Sequence, residues 1–248
     1  PGIMDFEPSY LSETSDSAFW MLGWYALLRW MDDEQQKWLA ILAFSIGIGF
    51  LCRPVTMVVF AIPVGVVILR RVARRDAWKE LQVPFGIGFI FIGIWALWSQ
   101  RTTGNPLHAP YALYSRYYFP DDIMGFGLTG LKPLRPLNAD MAQYNEFVKI
   151  LHRGYTLESL PMNLHARVVA IAANMWATRA MLMPLAALAL ITTSAPLWFA
   201  LGTVVLLVLA YICVGHAPQW AVYYVEIQPV LAFATAVAWW RVAKIGRA

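Results

Sequence analysis

Residues 38–69 read WLAILAFSIGIGFLCRPVTMVVFAIPVGVVIL, an apolar stretch that is interrupted only at Cys52-Arg53-Pro54. As a single helix this stretch would be about 48 Å long, whereas the hydrocarbon core of a bilayer is about 30 Å thick. Proline lacks an amide hydrogen and disfavours helical geometry in the residue before it. The stretch therefore predicts two short helices, each about 22 Å long, that meet at the Arg53-Pro54 turn.

The composition of the whole chain agrees with a membrane location. Its 248 residues are 59% hydrophobic and 14% charged, whereas soluble domains carry roughly 25% charged residues. An ordinary soluble enzyme is therefore excluded. The formal charge of +4 comes from basic residues beside apolar runs, as in cytoplasmic membrane anchors, so we expect no nucleic-acid partner. Cys52 and Cys213 lie in apolar runs without metal-ligand spacing and predict neither a disulfide framework nor a zinc site.

Other uncharged runs are long enough to cross a bilayer, or nearly so. The clearest are residues 82–98, 197–215 and 221–240, and shorter ones occupy residues 180–193 and 17–31. Together with the 38–69 stretch they predict an all-α, polytopic transmembrane helix bundle of about six to seven spans or half-spans.

Basic residues predict the orientation, because cytoplasmic loops are enriched in Lys and Arg. They cluster in the short loop 70–79 and at the C-terminus. We therefore expect a multi-pass protein of the plasma (inner) membrane with a cytoplasmic C-terminus. Alternation of the spans then divides the chain into N-terminal membrane helices (1–98, with the Arg-Pro hairpin), an outer-face loop (99–178) and C-terminal membrane helices (179–248).

The outer-face loop opens with RTTGNPLHAPYALYSRYYFPDDIMGFG, residues 101–127, which is rich in Tyr and carries basic residues. An arginine fork with neighbouring phenol groups is suited to bind a lipid phosphate. The alternative is an aromatic belt at the membrane interface, with Arg116 extended towards the headgroups and His108 as a structural hydrogen-bonder. The candidate contacts to a lipid phosphate in this loop are His108, Tyr111, Tyr114, Arg116 and Tyr117.

Two ionisable residues lie within apolar runs, where charges are costly and usually face a cavity or the bundle interior. Arg53 either binds substrate, reaches the outer interface or pairs with an acidic residue. Glu226 lies just below the predicted outer interface of the last helix, where we expect an ion pair with Arg53 or Arg116 rather than a proton relay. No cofactor is evident and no metal-ligand cluster is visible, although a divalent metal remains open.

Residues 140–178 have apolar side chains at helical spacing with charges between them. This pattern is typical of interfacial helices that lie on the outer leaflet. Such helices either cover a cleft on the lipid side or buttress the bundle.

Three segments, taken in order, resemble one family of membrane enzymes. They are EPSYLSETSDSAFWMLGWYALLRW (7–30), the 38–69 unit and GNPLHAPYALYSRYYFPDDIMGFG (104–127). They are similar to consecutive stretches of the polytopic C-type (GT-C) glycosyltransferases related to protein mannosyltransferases and lipid A aminoarabinose transferases. HAPQWAVYYVEIQPVLAFATAVAWW (216–240) resembles the last helix of such proteins. The resemblance implies transfer of a hexose or pentose from a polyprenyl-phosphate donor to a lipid, glycan or protein hydroxyl on the outer face of the membrane.

In this family an acidic residue of the first outer loop acts as the catalytic base or contacts a metal. We expect that loop upstream of Pro1, so that this chain would be a fragment, inactive alone, holding the donor-lipid and bundle part of the enzyme. Asp16 matches a family Asp at the start of a helix, where helix capping is the simpler interpretation. The alternatives are an O-antigen ligase or polymerase-like enzyme, and a transport or accessory subunit in which Arg53 and Glu226 line a substrate path.

Overall fold

The computed structural model describes residues 12–122, 124–175 and 194–245. Across these ranges the chain is helical and forms no strand, apart from an isolated bridge between Met124 and Val214. The predicted all-α class is thus confirmed. The chain folds as two compact units, the first made of Pro1–Ile92, Val169–Val208 and Ala221–Ala248 and the second of Gly93–Val168 and Leu209–Trp220.

The α-helices are numbered here in chain order. They are α1 Ser12–Asp33, α2 Gln36–Cys52, α3 Pro54–Arg75, α4 Gln82–Thr103, α5 Pro110–Tyr118, α6 Ala139–Arg153, α7 Leu160–Met175, α8 Ala195–Ala210 and α9 Gln228–Ile245. Short 3₁₀ turns occupy Trp78–Leu81, Tyr211–Cys213 and Ala221–Ile227.

Four helical segments are long and apolar enough to cross a membrane: Pro54–Arg75, Trp78–Thr103, Ala195–Cys213 and Val222–Lys244. Gln36–Cys52 is a shorter apolar helix. The predicted spans at 82–98, 197–215 and 221–240 are therefore confirmed as apolar helices, and they make this a multi-pass membrane protein. The run predicted at 180–193 lies outside the described residues.

The break at Arg53 is confirmed, but the predicted length of the helix after it is wrong. Arg53 alone separates α2 from α3, and α3 has 22 residues, which corresponds to about 33 Å. The helix continues through the basic segment because Arg favours helical geometry, and the dipole favours Arg74 and Arg75 in the last turn. It ends at Asp76, which has the left-handed φ of 52°.

Close packing of α2 against α1, α3 and α4 explains the Gly-rich sequence SIGIGF at 45–50. A Cβ on Gly47 would lie 2.1 Å from the Phe91 ring, and one on Gly49 would lie 2.2 Å from Met57 Cε. The core beside these glycines buries Trp20, Trp30 and Phe60 completely. Small residues therefore let the helices approach closely enough to pack around large aromatic side chains.

Glu226 lies within the last helical segment, Val222–Lys244, as predicted, but at its irregular start. Glu226 lies in the 3₁₀ turn Ala221–Ile227, in which Tyr224 is non-helical with φ −131° and ψ 18°. The regular helix α9 begins at Gln228, because Pro229 has no amide hydrogen and is compatible only with the first turn of a helix. The irregular backbone exposes carbonyl groups, which a regular helix would have used itself.

The second unit contains α5, α6 and the irregular segment between them. Helix α6 starts at Asn138, whose Oδ1 accepts a hydrogen bond from the Met141 amide at 2.8 Å. The helices predicted within 140–178 correspond to α6 and α7. The continuation of α7 towards the next span lies outside the part of the chain that the structure describes.

Candidate functional site

The break between α2 and α3 places Arg53 against the 3₁₀ turn that holds Glu226. Nη1 of Arg53 donates to Glu226 Oε1 at 2.7 Å and to the Val222 carbonyl at 3.0 Å. Its guanidinium also lies 5.6 Å from the centroid of the Tyr223 ring. Of the two partners proposed for Glu226 from the sequence, Arg53 is therefore the one that the structure selects.

Burial makes this ion pair different from a surface salt bridge. Glu226 is fully buried and only 8% of the Arg53 side chain is exposed. A charge-assisted hydrogen bond stabilises each partner, but the loss of one would leave the other as an uncompensated buried charge. The pair thus joins the Arg-Pro break to the turn before α9.

Asp16 is a third member of this group, and sequence reasoning did not place it there. The capping interpretation is wrong, since α1 begins at Ser12 and Asp16 lies inside the helix, fully buried. Its carboxyl group lies beside that of Glu226, and a Cβ on Gly49 would lie 2.7 Å from Asp16 Oδ1. We call Asp16, Arg53 and Glu226 the arginine–carboxylate cluster.

A signal for Asp16 was present in the sequence. Asp16, Trp20 and Leu27 share one face of α1 at helical spacing, and all three are fully buried. An acidic residue in line with an apolar face predicts a buried partner. Interpreting Asp16 as a helix cap placed it outside this face.

The other candidate residues lie on α5 and the turn before it, in the second unit. The Tyr111 hydroxyl donates to Asp122 Oδ2 at 2.7 Å, and the Tyr114 ring packs against Tyr118 and Phe119. Tyr117 faces Arg135, whose guanidinium is 5.2 Å from the ring centroid. Tyr114 and Tyr117 therefore belong to an aromatic cluster with Arg135 beside it, whereas Tyr111 is bound to Asp122.

Arg116 and His108 differ from these tyrosines because both are exposed. Within the described ranges, neither side chain has a hydrogen-bond or ion-pair partner. Their donors are thus open to a ligand, whereas Arg53 is already bound by Glu226 and Val222. Arg53 and Glu226 are the two predicted site residues that lie in the first unit, and the structure brings them into contact.

Arg167 of α7 is a second buried arginine, and the sequence analysis did not single it out. It is 1% exposed and donates to the Tyr211 carbonyl at 2.6 Å and the Val214 carbonyl at 2.7 Å. Its guanidinium lies 5.1 Å from the centroid of the Tyr155 ring, and the Tyr155 hydroxyl donates to the Ile212 carbonyl. Burial raises the pKa of Tyr155, although Arg167 acts in the opposite direction.

In residues 12–122, 124–175 and 194–245, no group of three or more His, Cys, Asp or Glu side chains is arranged to hold a metal ion. Asp16 and Glu226 are only two carboxyl groups, and Arg53 donates to one of the Glu226 oxygens. We therefore assign no residue to a metal.

Comparison with known proteins gives one match. Residues 11–101 match the family model described as dolichyl-phosphate-mannose-protein mannosyltransferase. The matched segment contains Asp16, Arg53 and helices α1 to α3, and it ends within α4. Searches of curated proteins and of solved structures found no match.

Proposed function

We propose that this chain, which belongs to the GT-C protein mannosyltransferase-like family of membrane glycosyltransferases, uses a polyprenyl-phosphate sugar as its donor. The acceptor is a hydroxyl group of a lipid, glycan or protein at the outer face of the membrane. The family match over residues 11–101 carries this proposal. The apolar spans support it, because a polyprenyl donor is itself embedded in the bilayer.

The reaction defines what the protein has to supply. The acceptor oxygen attacks the anomeric carbon, the bond from that carbon to the donor phosphate breaks, and the phosphate leaves with the electron pair. The hydroxyl proton passes to a base. Cationic donors stabilise the departing phosphate, since negative charge develops there in the transition state.

We assign the phosphate contacts to the exposed residues of α5 and its preceding turn. Arg116 offers a guanidinium fork that no described residue occupies, and His108, Tyr111 and Tyr114 lie in the same short segment. Tyr117 packs against Tyr118 and supports this segment from within α5. A fork and neighbouring hydroxyls match the oxygens of a phosphate in geometry as well as charge.

The proximity of α5 to the end of a span supports this assignment. The Thr103 hydroxyl oxygen, at the end of the span Trp78–Thr103, lies 3.3 Å from the His108 carbonyl oxygen. Helix α5 begins at Pro110, so its start lies within about 10 Å of the end of the span. A lipid phosphate in the headgroup layer is found at this level.

Arg53 and Glu226 receive a positioning role in this proposal. The Arg53 guanidinium is buried and already donates to a carboxylate and a carbonyl. The pair holds the 3₁₀ turn before α9 against the Arg-Pro break. Substitution at either residue therefore acts on donor binding through the structure of the first unit.

The test is binding of a polyprenyl phosphate to the full chain in lipid nanodiscs. Arg116→Ala removes the fork, and we expect affinity to fall about tenfold or more, since a hydrogen bond to a charged group contributes about 1.5–3 kcal/mol. Arg153→Ala, which removes an exposed arginine at the end of α6, is the matched control and should bind normally. Equal affinity of both variants would contradict the assignment of Arg116.

The accessory-subunit alternative predicts a different outcome of the same experiment. In that case Arg116→Ala leaves polyprenyl-phosphate binding unchanged and reduces assembly with a partner.

A further inference from the structure

Residues 128–135, LTGLKPLR, form a loop of the second unit that we call the leucine loop. Leu131 is 61% exposed and Leu134 is 62% exposed. Lys132 and Arg135 follow these leucines and are also exposed. The loop thus presents two large apolar side chains that alternate with two cations.

The backbone of this loop is held at both ends. Asp121, which is 2% exposed, accepts from the Thr129 amide at 2.8 Å and from the Thr129 hydroxyl at 2.7 Å. At the other end, the Tyr117 carbonyl accepts from the amides of Leu134 at 2.9 Å and Arg135 at 3.1 Å. A buried carboxylate and a helix carbonyl therefore fix the backbone of the loop. The leucines are exposed on this ordered backbone.

Several features of the loop limit how it can refold. Gly130 has a φ of 71°, a left-handed conformation that glycine adopts without steric cost. Pro133 restricts the backbone between the two leucines. Exposed leucines on a fixed loop are unfavourable in water, so a further surface is expected to cover them.

The charges identify that surface as a lipid interface. Lys132 is free of ion pairs within the described part of the chain, and Arg135 rests on the Tyr117 ring. Apolar side chains inserted at the boundary of headgroups and acyl chains, with Lys and Arg between them, bind anionic phospholipids. An acidic soluble protein would match the cations but would leave the leucines without an apolar partner.

The location of the loop agrees with a lipid partner. Its anchor, Tyr117, is on α5, and the start of α5 is close to the end of the span Trp78–Thr103 through the contact between Thr103 and His108. Helix α5 has nine residues and is about 14 Å long. The leucine loop is therefore tethered by a short helix to the end of a membrane span.

We propose that the leucine loop inserts Leu131 and Leu134 at the headgroup–acyl boundary of a bilayer that contains anionic phospholipid, with Lys132 and Arg135 bound to the lipid phosphates. This lipid contact is separate from the donor site and does not require the proposed transfer reaction. Its effect is to hold the second unit on the membrane surface by a contact outside the spans.

The experiment places an environment-sensitive fluorophore on the loop. The chain has two cysteines, so Cys52→Ala and Cys213→Ala give a background in which Leu131→Cys or Leu134→Cys is labelled alone. Asp140→Cys, at an exposed position in the first turn of α6, is the control. The full chain is reconstituted in nanodiscs of phosphatidylcholine with or without phosphatidylglycerol.

We expect the labels at positions 131 and 134 to show blue-shifted emission, quenching by nitroxide lipids and protection from aqueous iodide. The label at position 140 should show none of these. Labels at 131 and 134 that iodide quenches as strongly as the control would overturn the proposal. Protection from iodide without nitroxide quenching would also overturn it, because it would indicate a protein partner or a second copy of the chain.

A second measurement tests the cations and does not depend on the leucines. Lys132→Gln in the labelled Leu134→Cys chain should reduce the blue shift in nanodiscs that contain phosphatidylglycerol, while Arg153→Gln should leave it unchanged. Insertion that is equally deep in both lipid mixtures, with or without Lys132, would overturn the assignment of anionic headgroups as the partner.

Discussion

Among the residues that the structure describes, each compact unit buries one arginine, and the two arginines are neutralised in different ways. Arg53 is 8% exposed and donates to the carboxylate of Glu226 at 2.7 Å. Arg167 is 1% exposed, and in the described residues it has no carboxylate partner. It donates to two carbonyl groups and lies against the Tyr155 ring. The first site depends on a counter-charge, and the second depends on backbone dipoles and an aromatic face.

The difference teaches how the sites should respond to mutation. A buried charge that loses its counter-ion keeps its desolvation cost but loses the electrostatic attraction that offset it. An arginine bound by carbonyls shares its interaction among several weaker contacts, each of which is lost separately. Removing one contact at a time therefore tests whether the two arginines differ in how they are stabilised.

The largest expected effect follows from Glu226→Ala. It leaves Arg53 and Asp16 without the shared carboxyl group, and we expect the free energy of unfolding to fall by about 3–5 kcal/mol. Thermal unfolding in detergent, followed by circular dichroism, measures this change. The double variant Arg53→Met with Glu226→Leu removes both charges and should recover most of the loss. A double variant no more stable than the single one would show that the ion pair is not the source of the effect.

A smaller effect is expected from Arg167→Met, which keeps the apolar stem but leaves the Tyr211 and Val214 carbonyls unpaired. We expect a loss of about 1.5–3 kcal/mol, the usual contribution of a hydrogen bond to a charged group. Limited proteolysis should show faster cleavage within residues 211–220. A loss as large as that of Glu226→Ala would contradict the contrast between the two arginines.

Asp16→Asn tests whether Asp16 acts in the arginine–carboxylate cluster through its charge. An amide keeps the size of the carboxyl group and can donate a hydrogen bond to the neighbouring carboxyl group of Glu226. We therefore expect Asp16→Asn to change the free energy of unfolding by less than about 1.5 kcal/mol, the upper end for one ordinary hydrogen bond. Destabilisation equal to that of Asp16→Ala would mean that Asp16 acts through its charge.

The smallest effect concerns Tyr155 and its dependence on pH. Its pKa is raised above the ordinary value of 10.0, mainly by burial. The folded state therefore retains the phenolic proton, so this contribution to stability is fully present below that value and is lost as pH rises through the folded pKa. Tyr155→Phe removes the hydrogen bond to Ile212, costs about 1 kcal/mol at neutral pH, and should lose this alkaline component. Unfolding curves of both proteins that fall in parallel above pH 10.0 would contradict the assignment.

The sequence predicted the local features of the fold well, because each has a local cause. Pro54 predicts the helix break at Arg53, and the length of the uncharged runs predicts the spans. Helix ends were less predictable: α3 continues through Arg70 to Arg75, and Pro229 starts α9 after Glu226 rather than interrupting a helix around it. In both cases the helix boundary lies several residues from the position that the sequence pattern predicts.

Long-range partners were predicted only where charge demanded one. A buried Glu226 needs a cation, so the pair with Arg53 could be anticipated. Arg167 resembled a polar position of an amphipathic helix, and its partners are carbonyls 44 and 47 residues away, which have no side-chain signature. Asp16 had a signal in its apolar helix face, but a capping interpretation was available and simpler. The roles of His108, Tyr111, Tyr114 and Arg116 in phosphate binding stay predictions.

The separation of Arg53 and Glu226 has a consequence for the biogenesis of the protein. The two residues are 173 positions apart in the chain. At a synthesis rate of about 5–20 residues per second, Glu226 is made roughly 9–35 s after Arg53. During that interval Asp16, which precedes Arg53, is the one carboxylate of the cluster already synthesised. It is thus available to accompany the arginine into the membrane until Glu226 arrives and completes the cluster.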